Sequence, residues 1–176
     1  MGEGRGAPSF FLSITSFPRA GHELHVVMPG PPGRPREEEY HGVHLHRFPT
    51  RVDFMPDVSR SKVVQHARIF LSYVYWFMRA VPAALAVARR VEPDAVFGMG
   101  ALGAVAGRWV AARLGVPNVT RLFGTSLHQF FGSPFRMGLR YRERRAFRTP
   151  ASYVVLHDDG SGGDEVARRV GVDMDP

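Results

Sequence analysis

The sequence predicts an α/β fold, a parallel sheet with helices on its faces, and three observations carry that prediction. From residue 94 onward, short β-branched runs alternate with helical ones: DAVFGMG, residues 101–114, NVTRLFG, residues 134–147, then SYVVLHDDG before a helix near Asp164. Such alternation belongs to parallel sheets, because a parallel connection has to cross over through a helix. Each strand-like run leaves through glycine, and the helix over 101–114 is closed by Gly115. The chain has 176 residues, one domain's worth, so a single globular unit is expected over 1–176.

Upstream the elements follow in order. Residues 1–9, MGEGRGAPS, are Gly-rich and are expected to form a flexible start without a secretory leader. FFLSITSF, residues 10–17, is aromatic and β-branched and predicts a strand; residues 23–28 predict a second, ending at Pro29 and Gly30. Only residues 18–22 separate them, whereas two adjacent parallel strands need a crossover of about a dozen residues. The preferred reading is that a loop and the first helix, about 20 residues, are missing, so that the first βα unit is truncated. The other reading makes residues 9–17 the remnant of that helix with the strand lost, although Pro18 would break its last turn. Residues 29–42, PGPPGRPREEEYHG, predict a loop, since a three-glutamate run has no apolar face. GVHLHRFP predicts a short strand near a sheet edge, and Ser59 or Ser61 a cap for a long helix through Arg90, kinked or split at Pro82.

Composition narrows the chemistry. No cysteine is present, so disulfides, thiolate nucleophiles and thiolate metal sites are excluded, and a reducing, cytoplasmic setting is expected. The net charge of +7 is carried by arginine, with Lys62 the single lysine, which suits phosphate-bearing or anionic partners. The most apolar stretch, residues 69–78, is too short to span a bilayer and reads as a buried or interfacial helix segment.

Sites in parallel sheets gather beyond the carboxyl ends of the strands. Three loops fall there. GMGALG places Gly98, Gly100 and Gly103 in a G-x-G-x-x-G pattern between a strand and a helix, a Rossmann-like context in which bare backbone N–H groups can meet phosphate. The ribose-binding carboxylate about 20 residues further on is missing, because no Asp or Glu lies between Asp94 and Glu143. The plain alternative is that Gly103 and Gly107, with several alanines, let the helix pack closely on the sheet. LFGTS offers Gly124, Thr125 and Ser126 to sugar or phosphate oxygens, or else a plain turn; HDDGSGGDE places Asp158 and Asp159 where they would accept sugar hydroxyls or merely make a turn. His44 and His46 share one strand face with His41 before them, but without supporting ligand spacing they read as a solvated face, and no metal is expected. Residues 136–148 mix six arginines, Arg140, Arg144 and Arg145 among them, with Tyr141 and Phe147. A solvated helix face is the plain reading; no nucleic-acid motif accompanies them, so membrane or phosphate contact is the better of the functional ones.

Taken together, RAGHELHVVMPGPPG, GVHLHRFP, VEPDAVFGMGALGAVAGRWVAARLGVPNVTRLFGTSL and VVLHDDGSGGDEVARRVGVD resemble, in order and spacing, the N-terminal, acceptor-side domain of family 4 glycosyltransferases. That resemblance implies the N-terminal half of a GT-B fold, from an enzyme moving sugar from a nucleotide-sugar to a hydroxyl acceptor with retention. The nucleotide-sugar would be co-substrate, and no other cofactor is implied. Gly98, Gly100, Gly103, Gly124, Thr125, Ser126, Asp158 and Asp159 would line the cleft. Arg140, Arg144 and Arg145 would meet phosphate or the inner face of a membrane carrying a glycan or lipid-linked acceptor. The family's donor domain, with two glutamates seven residues apart, has no counterpart here, so the isolated chain is expected to be inactive. Phe123 stands where many members have histidine before Gly-Thr. The alternative is a non-catalytic module binding a phosphorylated ligand or nucleotide through the Gly98 loop.

Overall fold

The computed structural model describes residues 8–31, 36–50, 61–157 and 160–171. Helix α1 (Pro8–Arg19) leads into β1 (Leu24–Gly30), β2 (Glu37–Tyr40) and β3 (Val43–Pro49), and α2 (Lys62–Val91) follows. Three βα units complete the chain: β4 (Val96–Met99) with α3 (Gly100–Leu114), β5 (Asn118–Leu122) with a 3₁₀ turn, α4 (Pro134–Leu139) and α5 (Tyr141–Phe147), and β6 (Tyr153–Leu156) with α6 (Gly163–Arg169). The α/β class stands, but the strands form two three-stranded sheets, β1-β3-β2 and a wholly parallel β4-β5-β6. In the common doubly wound order one more strand would lie between β1 and β4. Among the described residues none does.

The expected strand over 10–17 is part of helix α1. Ile14 and Thr15 are buried, and Phe17, one turn beyond Ile14, sets its ring edge-on to Phe97 of β4 at 5.5 Å. The hydroxyls that suggested β-structure are absorbed within the helix: Thr15 Oγ1 donates to the Leu12 carbonyl (3.3 Å) and Ser16 Oγ to that of Ser13 (2.7 Å). Pro18 removes one helical bond without breaking the last turn. Closure comes from a Schellman arrangement around Gly21 (φ 84°), in which His22 N–H donates to Phe17 O and Gly21 N–H to Pro18 O. The rings of Phe17 and His22 supply the accompanying side-chain contact at 6.2 Å. Pro8 and Ser9, expected in a flexible start, already belong to α1, and residues 1–7 lie outside the described region.

The expected loop over 29–42 is only partly a loop. Pro29 and Gly30 continue β1, and the glutamate run is β2, an antiparallel edge strand paired to β3 from Glu37↔His46 to Tyr40↔Val43. Its turn is His41–Gly42, both with positive φ (51° and 76°), the combination that primed hairpin turns require. Strand β3, expected at an edge, is therefore central, with β1 parallel on its other side.

Helix α2 runs unbroken through Pro82. Met78, whose carbonyl loses its donor there, is exposed and can use water instead. Two apolar stripes share this helix. Trp76, Ala80, Val81, Leu85 and Ala88 are buried in a core with Phe48 of β3 and Ala106 and Val110 of α3. Val64, Leu71, Val74 and Met78 face outward. Residues 63–91 are long and apolar enough to cross a membrane by length and composition alone, yet their buried stripe is built into this core.

Candidate functional site

Strand β4 and helix α3 meet through backbone. A Cβ on Gly98 would stand 2.6 Å from Gly103 O, and one on Gly107 3.0 Å from Gly98 Cα, so Gly98, Gly103 and Gly107 fit the helix against the strand. Gly100 differs. Its φ is 69°, and a Cβ there would meet only the Phe123 ring at 3.9 Å. It opens a 15-residue helix whose N-cap, Met99, gives no side-chain cap, so first-turn N–H groups point beyond the carboxyl end of β4.

The loop after β5 lies beside that turn. Phe123 sits between Arg121, whose guanidinium stands over its ring at 5.3 Å, and His157 at 6.3 Å. Arg121 also donates to Ser13 Oγ, which brings α1 to the same edge. Gly124 turns the chain with φ 55°. Thr125 Oγ1 then donates to Glu143 Oε1 (2.7 Å), Ser126 N–H to the same oxygen (2.8 Å), and Ser126 Oγ to Oε2 (3.3 Å). Thr125 N–H donates to Ser161 Oγ at 3.0 Å, which ties in the loop after β6. The carboxyl ends of β4, β5 and β6 are thus one connected rim.

Glu143 is the residue that the motifs did not single out. Its signal was present, since it is the only acidic side chain in the arginine-rich stretch 136–148. Asp158 and Asp159 lie outside the described residues.

The single basic helix expected over 134–147 is two, α4 and α5, meeting at Arg140. Ser133 caps the first by accepting from Arg136 N–H. Arg140 stacks on Phe130 at 5.0 Å, while Arg144 and Arg145 are exposed. Arg144, Arg148 and Arg169 surround an open groove of about 400 Å³ floored by Phe131, Pro134, Met137 and Val170. Tyr141 joins α5 to α2 by ring contacts with Phe70 (5.6 Å) and Tyr73 (6.0 Å), placing the arginines beside the exposed stripe of α2. Burial raises both tyrosine pKa values.

Of the histidines expected on a solvated face, His41 is exposed and His44 partly so, but His46 is packed in. His25 of β1 is the register partner of His44 on β3, and the His46 side chain is only 11% exposed. His46 is held below its ordinary pKa, first by burial.

No protein-family model matches the chain, and no curated protein matches it. Among solved structures it is similar to the crystal structure of CalG4, the calicheamicin glycosyltransferase, with a TM-score of 0.48 and 22% identity over 72% of this chain and 31% of that one. The chain spans less than a third of that structure.

Proposed function

We propose that this chain is the acceptor-side half of a retaining sugar transferase of the GT-B type, taking sugar from a nucleotide donor to a hydroxyl acceptor. The observation that supports this reading is the connected rim at the carboxyl ends of β4, β5 and β6. It sets the uncapped start of α3, the bare backbone of Gly100 and Gly124, and the flat ring of Phe123 side by side. Backbone N–H groups suit pyrophosphate oxygens, and an exposed aromatic ring suits a sugar face. The sequence motifs quoted above, in their order, point to the same class.

Glu143 holds Thr125 and Ser126 in this reading, so the loop is preorganised by a carboxylate from α5. The chain alone is inactive, because transfer needs donor and acceptor positioned together by two halves. Calorimetry with UDP-glucose, GDP-mannose, NAD and AMP tests the assignment. Binding of a nucleotide-sugar, weakened by Gly100→Val, supports it. Tight binding of NAD or AMP lost in the same variant would favour the nucleotide-binding module instead, and sugar transfer by the chain alone would contradict the half-enzyme reading.

The exposed stripe of α2 and the neighbouring Arg140, Arg144 and Arg145 suit an anionic bilayer at the cytoplasmic face, where a lipid-linked acceptor would lie. Sedimentation with phosphatidylglycerol vesicles should be strong in the native chain and lost in the double variant Leu71→Ser and Met78→Ser. Equal sedimentation of both would remove the membrane from this proposal.

A further inference from the structure

Three histidines and two glutamates come together on the β1–β3 sheet, remote from the rim just described. Parallel pairing sets His25 directly beside His44, and their rings stack at 4.7 Å with an interplanar angle of 18°. Glu23, just ahead of β1, brings Oε1 to 2.9 Å from His25 Nε2 and 3.9 Å from His44 Nε2. Ligand-capable atoms of Glu23, His25 and His44 all lie within 4.8 Å of one another. Two ligand atoms on a tetrahedral zinc ion are about 3.3 Å apart, given bonds of about 2.0–2.2 Å, so the two distances to Glu23 bracket that spacing. Completing it requires the two stacked rings to turn out of parallel so that both Nε2 lone pairs meet one ion, a rotation open to His44, which is partly exposed, with the exposed Glu23 following.

The surroundings form a relay suited to a metal-bound imidazole. His25 Nδ1 is 2.9 Å from His46 Nε2, and His46 Nδ1 is 3.4 Å from Glu37 Oε1, which also accepts from Arg90 at 2.7 Å. Without a metal, His25 Nε2–H donates to Glu23. With Nε2 given to a metal, the proton sits on Nδ1 and is donated to His46, whose own Nδ1–H then turns to Glu37. A carboxylate at the far end of such a chain fixes the tautomer of a ligating histidine. Between the two arrangements two protons change place, and Arg90, whose guanidinium lies 3.5 Å from His46 Nδ1, keeps its bond to Glu37 while giving up that nitrogen.

Helix α2 brings Arg90 to this place at its C-terminal end, just before the chain enters β4, so the cluster sits at the amino-terminal edge of the strands. It is therefore separate from the carboxyl-end rim. We propose that Glu23, His25 and His44 bind one divalent transition-metal ion, zinc by the nitrogen and oxygen character of the set, with water in the fourth position, and that the ion clamps β1 to β3. In the sequence His44 and His46 read as a solvated strand face with no metal; the register offers His25 as ligand and makes His46 its hydrogen-bond partner.

Titration of the untagged 176-residue chain with cobalt(II) alone, followed by zinc(II) competition, tests the site. The expected result is one equivalent of cobalt with intense tetrahedral visible absorption, displaced by zinc. Glu23→Gln and His44→Ala, both at exposed or partly exposed positions, should weaken binding at least about 10-fold, and Glu37→Gln about 10-fold through the relay. His128→Ala, at an exposed histidine elsewhere, should leave binding unchanged. Circular dichroism of each variant checks that the fold persists. Absence of tetrahedral absorption in the native chain, or unchanged binding in a folded His44→Ala variant, would overturn the proposal.

Discussion

In the β4–β5–β6 half, helix α3 lies on its sheet through backbone, with Gly98 against Gly103 and Gly107 against Gly98. In the β1–β3–β2 half, contact with α2 is made by side chains: Phe48 meets Trp76 edge-on at 6.3 Å, and Glu37 reaches Arg90. Close backbone approach leaves room between the layers for apolar side chains such as Ala104, Ala106 and Val96, so chemistry in the first half is pushed out to the strand ends. Side-chain spacing in the second half leaves room on the sheet itself, where imidazoles and carboxylates collect. The proposed sugar site and the proposed metal site follow from these two ways of packing.

Opposite substitutions should break the two halves. Trp76→Ala, which empties a core shared by α2, β3 and α3, should lose about 4 kcal/mol of stability, read as a lower urea midpoint. Gly98→Val, which adds atoms where a Cβ would already stand 2.6 Å from a carbonyl oxygen, should lose about 3 kcal/mol. Gly138, with nothing within 4 Å of a built Cβ, is the control; Gly138→Ala should be neutral or stabilising in the same titration. If Gly98→Val were as mild as that control, the backbone-contact account of the first half would fail.

Loop anchoring comes next in size. Glu143→Ala removes an acceptor from Thr125 Oγ1, Ser126 N–H and Ser126 Oγ, which should cost about 2 kcal/mol. Amide exchange should speed up at Ser126 and leave β4 unchanged. The smallest effect is electrostatic. Asp164, in the first turn of α6, is held below its ordinary pKa, first by the backbone N–H of Glu165 and then by Arg168. A carboxylate with a lowered folded pKa adds stability above its unfolded value, and that stability is lost as pH falls through the lowered one. Melting temperature followed through the acid range should therefore depend slightly less on pH in Asp164→Asn.

How much of this was legible in the sequence follows the same division. From residue 94 onward, glycine exits and strand–helix alternation gave the order of elements, because the packing there depends on residues that sequence marks plainly. Helix α1 was misread since its Thr and Ser hydroxyls satisfy themselves on carbonyls of their own helix, and Pro18 falls where the Schellman bonds take over. Strand β2 has no apolar face to announce it; its place is set by the His41–Gly42 turn and the pairing to β3. On α2 both stripes are apolar, so periodicity alone did not separate the core face from the outward one. The histidine cluster depends on the parallel register of β1 with β3, which a linear spacing of His44 and His46 does not contain.

The most direct measurement is a ¹⁵N amide spectrum of the chain during titration with UDP-glucose and, separately, GDP-mannose. If the three strand ends form one site, Gly100, Phe123, Gly124, Thr125 and Ser161 should shift together along one binding curve while His25 and His44 stay fixed. Shifts confined to a single loop, or none from either nucleotide-sugar, would contradict the account.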